Sequence, residues 1–571
     1  MSRRPSIRIR RALPLAAAGF FVLGGCDYSG LSSLEDDLEI TLDIPGVATT
    51  VALQLVDQRT GAPVETNALV EVGGRDGGVL FDPLLFESVE ATTTSSGVVV
   101  LGLDDRRLPS ATQPVVFDIF VSAPGFVETT RTVILDRPGL HSGEVGLVNL
   151  QSPPPGVTST VATATASPDG SLLTPIVATT PTEAETGGAA SVQIPAGTIL
   201  RTAGGEPLTG PTTATVAYFN DASLTSLSSF PGGLDAVQIE GGPLGSFITG
   251  GFVSITVQDS QGRRAAELSQ AADVAIAVAS GTVNPLTQAP VRAGDELPIW
   301  SLDPRSGVWQ AEGVRVAEAV PEALADGRPL PRELTDTGLI TRFTTEHLSY
   351  FNIDWFSADN CGIADNTVFR FDTHPTEPLR LEIFQRGFWS GRNLATGPAG
   401  QEFKPFGFPR DMSDASWRLI RLADRSEVSR GDVAGPLCGA TVPLSAPERP
   451  SSLIVELQVD VACPSGGRNL FLQPSYPVAY RPVGSPFWTW ANIESGRVVL
   501  EGLEYGARYE VGLNVKRGNT WSFETRTILL SEDPTGGIMD PGVQFMSGER
   551  DGDRLTLWYR ISDVRAICDV L

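Results

Sequence analysis

Short runs of β-branched and apolar residues, broken repeatedly by glycine and proline, constrain this chain most strongly. VVFDIFVSA (115–123), GGFVSITVQD (250–259), SLIVELQVD (452–460) and RLTLWYRI (554–561) show the pattern. Such runs read as strands when turn residues bound them and no 3.6-residue apolar period links them. In VVFDIFVSA the apolar side chains interleave with Asp118 and Ser122, which predicts one buried face. The chain has 571 residues, 60 of them Gly and 43 Pro. That length exceeds one core and predicts about three to five units. The expected fold class is all-β: tandem β-sandwich modules, Ig-like or transthyretin-like, with little helix outside the first 25 residues.

Those first residues are built differently. Arg3, Arg4, Arg8, Arg10 and Arg11 precede an uncharged stretch at 12–25 that ends at Cys26. Fourteen residues make a helix of roughly 21 Å, short of a ~30 Å hydrocarbon layer. The segment therefore reads as a secretory signal peptide and not a permanent span. Leu23, Gly24, Gly25 and Cys26 resemble a bacterial lipobox. The resemblance implies cleavage before Cys26 and lipid attachment to its thiol, so that acyl chains join the protein to a membrane. Residues 26–38 are expected to be an acidic tether. Glu35, Asp36, Asp37 and Glu39 resemble surface-export signals of some lipoproteins, whereas Asp27 resembles an inner-membrane retention residue. The expected location is the bacterial envelope, outer membrane or cell surface ahead of inner membrane, with the leaflet left open.

Charge narrows the partners. Lys and Arg total 42 against 67 Asp and Glu, a formal net charge of -25. A broad nucleic-acid surface needs cations to neutralise phosphates, so no nucleic-acid partner is expected. After Cys26 come Cys361, Cys438, Cys463 and Cys568, an even number in an exported chain. They permit two disulfides in three pairings, and their spacing matches no zinc motif.

Five segments are expected after the tether. Residues 39–150 read as a first β-sandwich: TGAPV, SSGVVVLGL and VFDIFVSAPGF resemble carboxypeptidase-regulatory or transthyretin-like modules. Residues 151–188, rich in Pro, Thr and Ser, read as a linker in which VTSTVATATA supplies an edge strand. Residues 189–357 carry IPAG at 194–197, AGDELPIWSLD at 293–303, GVWQAEG at 307–313 and TEHLSYFNID at 345–354. These pieces resemble an extracellular β-domain of bacterial lipoproteins and of cartilage intermediate layer protein-like surface proteins. That resemblance implies a structural or adhesive module and no reaction. Residues 361–468 read as a further β-rich unit with an irregular Gly/Pro/aromatic loop between Phe388 and Ser413. Residues 469–571 resemble a fibronectin-III-like sandwich through RVVLEGLEYGARYEVGLNVKRGNTWSFETRTILL.

Chemistry is sparse. His347 lies beside Glu346 and Asp354, but adjacent strand residues face opposite ways, so a structural role outweighs that of a base. His141 and His374 lack metal spacing. Asp295, Glu296 and Asp303 have the oxygens calcium uses but not the spacing of a calcium loop. Turn carboxylates more often cap local backbone. No catalytic residue, metal ligand or cofactor is expected. Trp389, Trp488 and Trp490 are the candidates for stacking on a ligand, with Arg386 and Arg392 adding polar contacts. Trp488 and Trp490 fit a core role better, whereas at Phe388 and Trp389 the two readings weigh equally. The sequence thus predicts a non-enzymatic, lipid-anchored envelope protein that displays β-sandwich modules for adhesion, matrix attachment or protein docking. A carbohydrate-binding or carbohydrate-active lipoprotein, with a glycan partner, and a structural subunit of an envelope complex are the alternatives.

Overall fold

The computed structural model describes residues 7–9, 39–43, 46–185, 187–320, 338–361, 365–372, 375, 377–394, 402–404, 407–410, 412–445, 453–465, 468–530, 543–552 and 554–562. The fold is all-β, a tandem of β-sandwich modules. Among the described residues, the helices are a single turn at Leu224–Ser228 and a 3-10 turn at Gly77–Val79. Cys26, His374 and Cys568 lie outside the described residues.

In the first sandwich, Thr49–Asp57 pairs in parallel with Gly139–Leu147 and antiparallel with Val98–Leu103. The facing sheet contains Ala68–Gly73, Val115–Ser122 and Thr129–Leu135. Val51, Leu53, Leu101, Phe117 and Ile119 fill the space between them. The strand Val115–Ser122 departs from the one-sided burial that its alternation predicts. Val115 to Val121 are all buried, Asp118 among them. Other modules cover the outer faces. Ala52, Val98 and Val100 pack with Tyr476 of the C-terminal unit, and the turn at Gly307 sits against Asp118. A Cβ on Gly307, whose φ is +68°, would lie 2.2 Å from Asp118 Cγ, so only glycine permits that approach.

Val157–Ala166 is an edge strand paired over its whole length with Gly210–Phe219. Next in this sheet is Leu244–Asp259, which bulges between Thr249 and Phe252 at Gly250-Gly251. Leu244–Asp259 pairs with Tyr350–Ser357 and, through the short Val237–Ile239, connects to Val308–Val316. Glu296–Asp303 bridges Val308–Val316 and Tyr350–Ser357, so these strands close on themselves. The sheet made by Ala190–Ile194, Glu267–Ala277 and Leu339–His347 packs against it across Val192, Val216, Ile255 and Phe351.

The segment after residue 361 shares a core with this module. Phe219, Phe230, Phe247 and Trp309 form one apolar cluster with Phe369, Leu381, Phe388 and Trp417. A disulfide joins Cys361 to Cys438 with their Cα atoms 5.2 Å apart. The loop expected from Phe388 onward begins instead as a strand, Phe388–Leu394, paired with Leu379–Gln385. Aromatics in a Gly-rich sequence resembled a loop, but the glycines at 387 and 391 serve a tight hairpin and a packed strand.

Leu453–Ser465, expected with the 361–468 unit, pairs forward with Arg468–Gln473, Arg497–Leu503 and Arg554–Ser562. Cys463 lies in this strand. The opposing sheet contains Tyr476–Pro482, Thr489–Ile493, Arg508–Arg517 and Thr520–Leu529. Thr520 and Trp521 pair in parallel with Thr93 and Thr94, so this sheet continues into the first module. At the other end, Glu39–Asp43 pairs with Arg468–Gln473 and with Ile7–Ile9.

Candidate binding site between the modules

The modules meet around two adjoining cavities, one of about 740 Å³ and one of about 290 Å³. Thr129–Leu135 and Gly139–Leu147 form one wall, and the hairpin of Leu379–Gln385 and Phe388–Leu394 another. Tyr480, Trp490 and Asn492 come from the C-terminal unit. Arg380 borders both cavities and Glu382 the smaller, while Thr129–Leu135 and Gly139–Leu147 contribute consecutive residues to the wall.

Seven arginines and Lys404 line the two cavities together with seven carboxylates, and five of the arginines pair with acids at the junction of the modules. Arg392 lies 3.0 Å from Asp235 and Arg131 3.9 Å from the same carboxylate, which also accepts a 2.6 Å hydrogen bond from Ser390 Oγ. Arg380 donates to Glu144 at 2.9 Å, and Arg425 contacts that glutamate as well. Arg418 donates to Glu382 at 2.8 Å. Arg380 Nε is 3.2 Å from Glu382 Oε1 but is not aligned for a hydrogen bond. Thus Arg131, Arg380, Arg392, Arg418 and Arg425 share four carboxylates, Asp235, Glu144, Glu382 and Glu427. Glu427, 3.9 Å from Arg418, is held more closely by Arg430 at 2.9 Å.

Burial sets the electrostatics. It pushes Arg131 and Arg380 below the ordinary guanidinium value, and Arg425 down to about 10. Arg392 and Arg380 add repulsion at Arg131. Burial alone would raise Asp235, but Arg392, Arg131 and the Ser390 bond hold it below the usual carboxylate range. The arrangement holds Asp235 ionised.

The tryptophans fall into different settings. Trp389 is only 3% exposed, with the Arg380 and Arg131 guanidiniums 5.2 and 5.6 Å from its ring centre. Its ring is occupied by protein cations. Trp488 is buried edge-on to Phe523 and has Arg481 4.0 Å from its ring centre. Trp490 is half-buried and lines the larger cavity. Arg392 also borders that cavity, whereas Arg386 is taken up elsewhere by Asp221. Sequence reading missed Arg131, Arg380, Arg418 and Arg425. Arg418 and Arg425 share the segment WRLIRLADRSEVSR, but Arg131 and Arg380 lie far from it in sequence, and only the packing of modules brings them together.

The other candidates have local roles. His347 Nε2 lies 3.4 Å from Glu312, and its Nδ1 is 3.2 Å from Thr345 Oγ1. Ser301 Oγ donates to Glu312, so serine and histidine both address the carboxylate and not one another. Asp354 is buried behind Asn352 and Trp300, and burial raises its pKa well above the carboxylate value. His141 borders the larger cavity with its Nε2 2.8 Å from the Arg137 carbonyl oxygen. Asp295 caps Arg292 N, and Asp303 accepts from Arg305 N and Ser306 Oγ. Among the described residues no group of three His, Cys, Asp or Glu is placed to hold a metal ion.

No family model matches the chain, and no curated protein matches it. Solved structures similar to it include the major pilin subunit of Bacillus cereus, at 9% identity and a TM-score of 0.13, covering 90% of this chain and 99% of that chain. The full-length major pilin SpaD of Corynebacterium diphtheriae is 9% identical with a TM-score of 0.14, covering 91% and 98%. Two B repeat units of the collagen binding protein of Staphylococcus aureus are 9% identical with a TM-score of 0.11, covering 90% and 99%. Superpositions this shallow transfer neither architecture nor function to this chain.

Proposed function

We propose that this chain is a non-enzymatic, lipid-anchored protein of the bacterial envelope, in which mutually braced β-sandwich modules present a ligand- or partner-binding cleft. The cleft between the modules is the observation that carries the reading. Guanidiniums, amides and an indole line it, and these are groups that hold a partner by charge, hydrogen bonding and stacking. Cys26 supplies the anchor in this reading: its lipobox-like context puts acyl chains at the N-terminus, and the acidic segment that follows spaces the modules from the bilayer.

Expression in a bacterial host with and without globomycin, followed by intact-mass measurement, tests the anchor. The mature chain should begin at Cys26 with a diacylglycerol mass increment and enter the detergent phase. An unmodified soluble chain would remove the anchor from the proposal. Protease shaving of intact cells then reports the leaflet.

A further inference from the structure

We propose that the strand Val157–Ala166 is a self-association edge, through which two copies of this chain pair antiparallel about a twofold axis at Val161. This edge belongs to the second module and shares no residue with the lining of the cleft.

The strand ends its sheet, with Gly210–Phe219 on its inner side. Gly156 O accepts from Asn220 N on that inner side, whereas Val157 N donates to Pro154 O and Thr165 O accepts from Leu173 N. Odd-numbered residues therefore turn their backbone groups away from the sheet. Between those two closures, the N–H and C=O groups of Ser159, Val161 and Thr163 meet no hydrogen-bond partner among the described residues. Ala162 and Ala164 pack on the core, while Val161 points outward and is 57% exposed. The next two elements of chain add exposed Leu173 and Val177, so apolar side chains gather on this side of the module.

The composition of the strand identifies its occupant. VTSTVATATA carries no charge in a chain of formal net charge -25, so two copies meet here without the repulsion they feel elsewhere. Two other long edge strands are charged: Glu427–Pro436 holds Glu427, Arg430 and Asp432, and Val543–Asp551 holds Glu549, Arg550 and Asp551 and also bulges. Charge, proline and bulges keep edges apart, and Val157–Ala166 has none of them. Reversed about Val161, the strand matches itself: Val161 faces Val161, Ser159 faces Thr163, and Thr160 faces Ala162. Outward backbone groups then face one another and form about six hydrogen bonds, with small and β-branched side chains opposed across the seam. A second copy supplies that complement by symmetry.

Cysteine cross-linking of the full chain in the membranes of an expressing host tests this, with the parent chain as background. In a hydrogen-bonded antiparallel pair the Cα atoms lie about 5.5 Å apart, within disulfide reach. Val161→Cys should give a covalent dimer under mild oxidation. Co-expressed Ser159→Cys and Thr163→Cys chains should cross-link to each other and far less to themselves. Thr163→Pro removes an outward N–H and no bond to Gly210–Phe219, and the twofold doubles the loss. The dimer yield of Val161→Cys should therefore fall about tenfold or more when Thr163→Pro is added. Val161→Lys alters an exposed side chain and sets like charges opposite one another, so it reports on the edge even if the proline variant fails to fold. In sedimentation of the detergent-solubilised chain, the parent should show a concentration-dependent dimer and Val161→Lys a monomer. Background yield from Val161→Cys, equal cross-linking of every cysteine pair, a cross-link to a different protein alone, or a dimer that survives Val161→Lys would overturn the assignment.

Discussion

Trp521 Nε1 donates a 3.0 Å hydrogen bond to Asp82 Oδ2 across 439 residues of sequence. Both side chains are buried, and the indole belongs to the core of the first sandwich although its strand comes from the last. Asp82 uses its other oxygen to accept from Leu84 N and Leu85 N. The same tryptophan therefore fills a core, satisfies a buried carboxylate and begins the strand pairing that joins the two sheets.

Trp521→Ala should cost about 3–5 kcal/mol, the usual range for emptying a large aromatic site. Trp521→Phe keeps most of the volume but removes the indole donor to Asp82 Oδ2, and should cost about 1–3 kcal/mol. Differential scanning calorimetry should show the first and last modules melting together in the parent and separating in Trp521→Ala. Retention of a single unchanged transition would contradict this coupling.

Asp118 links stability to pH. Burial raises its pKa from 3.8 to about 6, opposed by the 2.6 Å hydrogen bond from Thr132 Oγ1. The folded state therefore holds a proton that the unfolded chain has released, and stability falls as pH rises from about 4 to about 6. The full effect amounts to about 3 kcal/mol by the usual conversion of pKa difference to free energy. Asp118→Asn preserves shape and removes the ionisation, so it should be more stable than the parent at pH 7 and similar at pH 4. Urea midpoints across that window would show a flattened profile for the variant, and parallel profiles would exclude Asp118 as the source.

Arg386 holds the second and third units together. Its guanidinium donates to both oxygens of buried Asp221, at 2.8 and 2.9 Å, and to Ser280 O at 2.7 Å. The adjoining Gly387 has φ +76°, and a Cβ there would approach Thr249 O to 2.6 Å. Among the described residues, Arg386→Ala leaves the carboxylate to Thr282 alone. The loss should lie toward the lower end of about 3–5 kcal/mol, because the arginine is itself partly exposed. Arg386→Lys should recover only part, since an ammonium cannot reproduce the paired geometry. Thermal denaturation checks the order parent, Lys, Ala, and limited proteolysis near residue 387 should accelerate in the same sequence.

Strand identity was legible because alternation and turn residues are local. VVFDIFVSA and GGFVSITVQD lie where their patterns put strands. FWSGRN was misread because aromatics and glycine also suit loops; its pairing with Leu379–Gln385 depends on the hairpin and not on propensity. The cleft had no such signal. Arg131 and Arg380 are 249 positions apart, and nothing near either residue announces the other. Of the three tryptophans expected to offer a stacking face, half-buried Trp490 borders the larger cavity and buried Trp389 the smaller, while both Trp488 and Trp490 pack edge-on to Phe523.

Composition and short-range pattern by themselves determined an acidic, turn-rich chain of strands, because charge, β-propensity and periodicity are properties of neighbouring residues. Which faces those strands bury twice, which cysteines meet and where the arginines gather were decided by module-on-module packing. The physical reason is that burial and charge pairing depend on distance in space. Residues hundreds of positions apart become neighbours only once the sheets have closed over their cores.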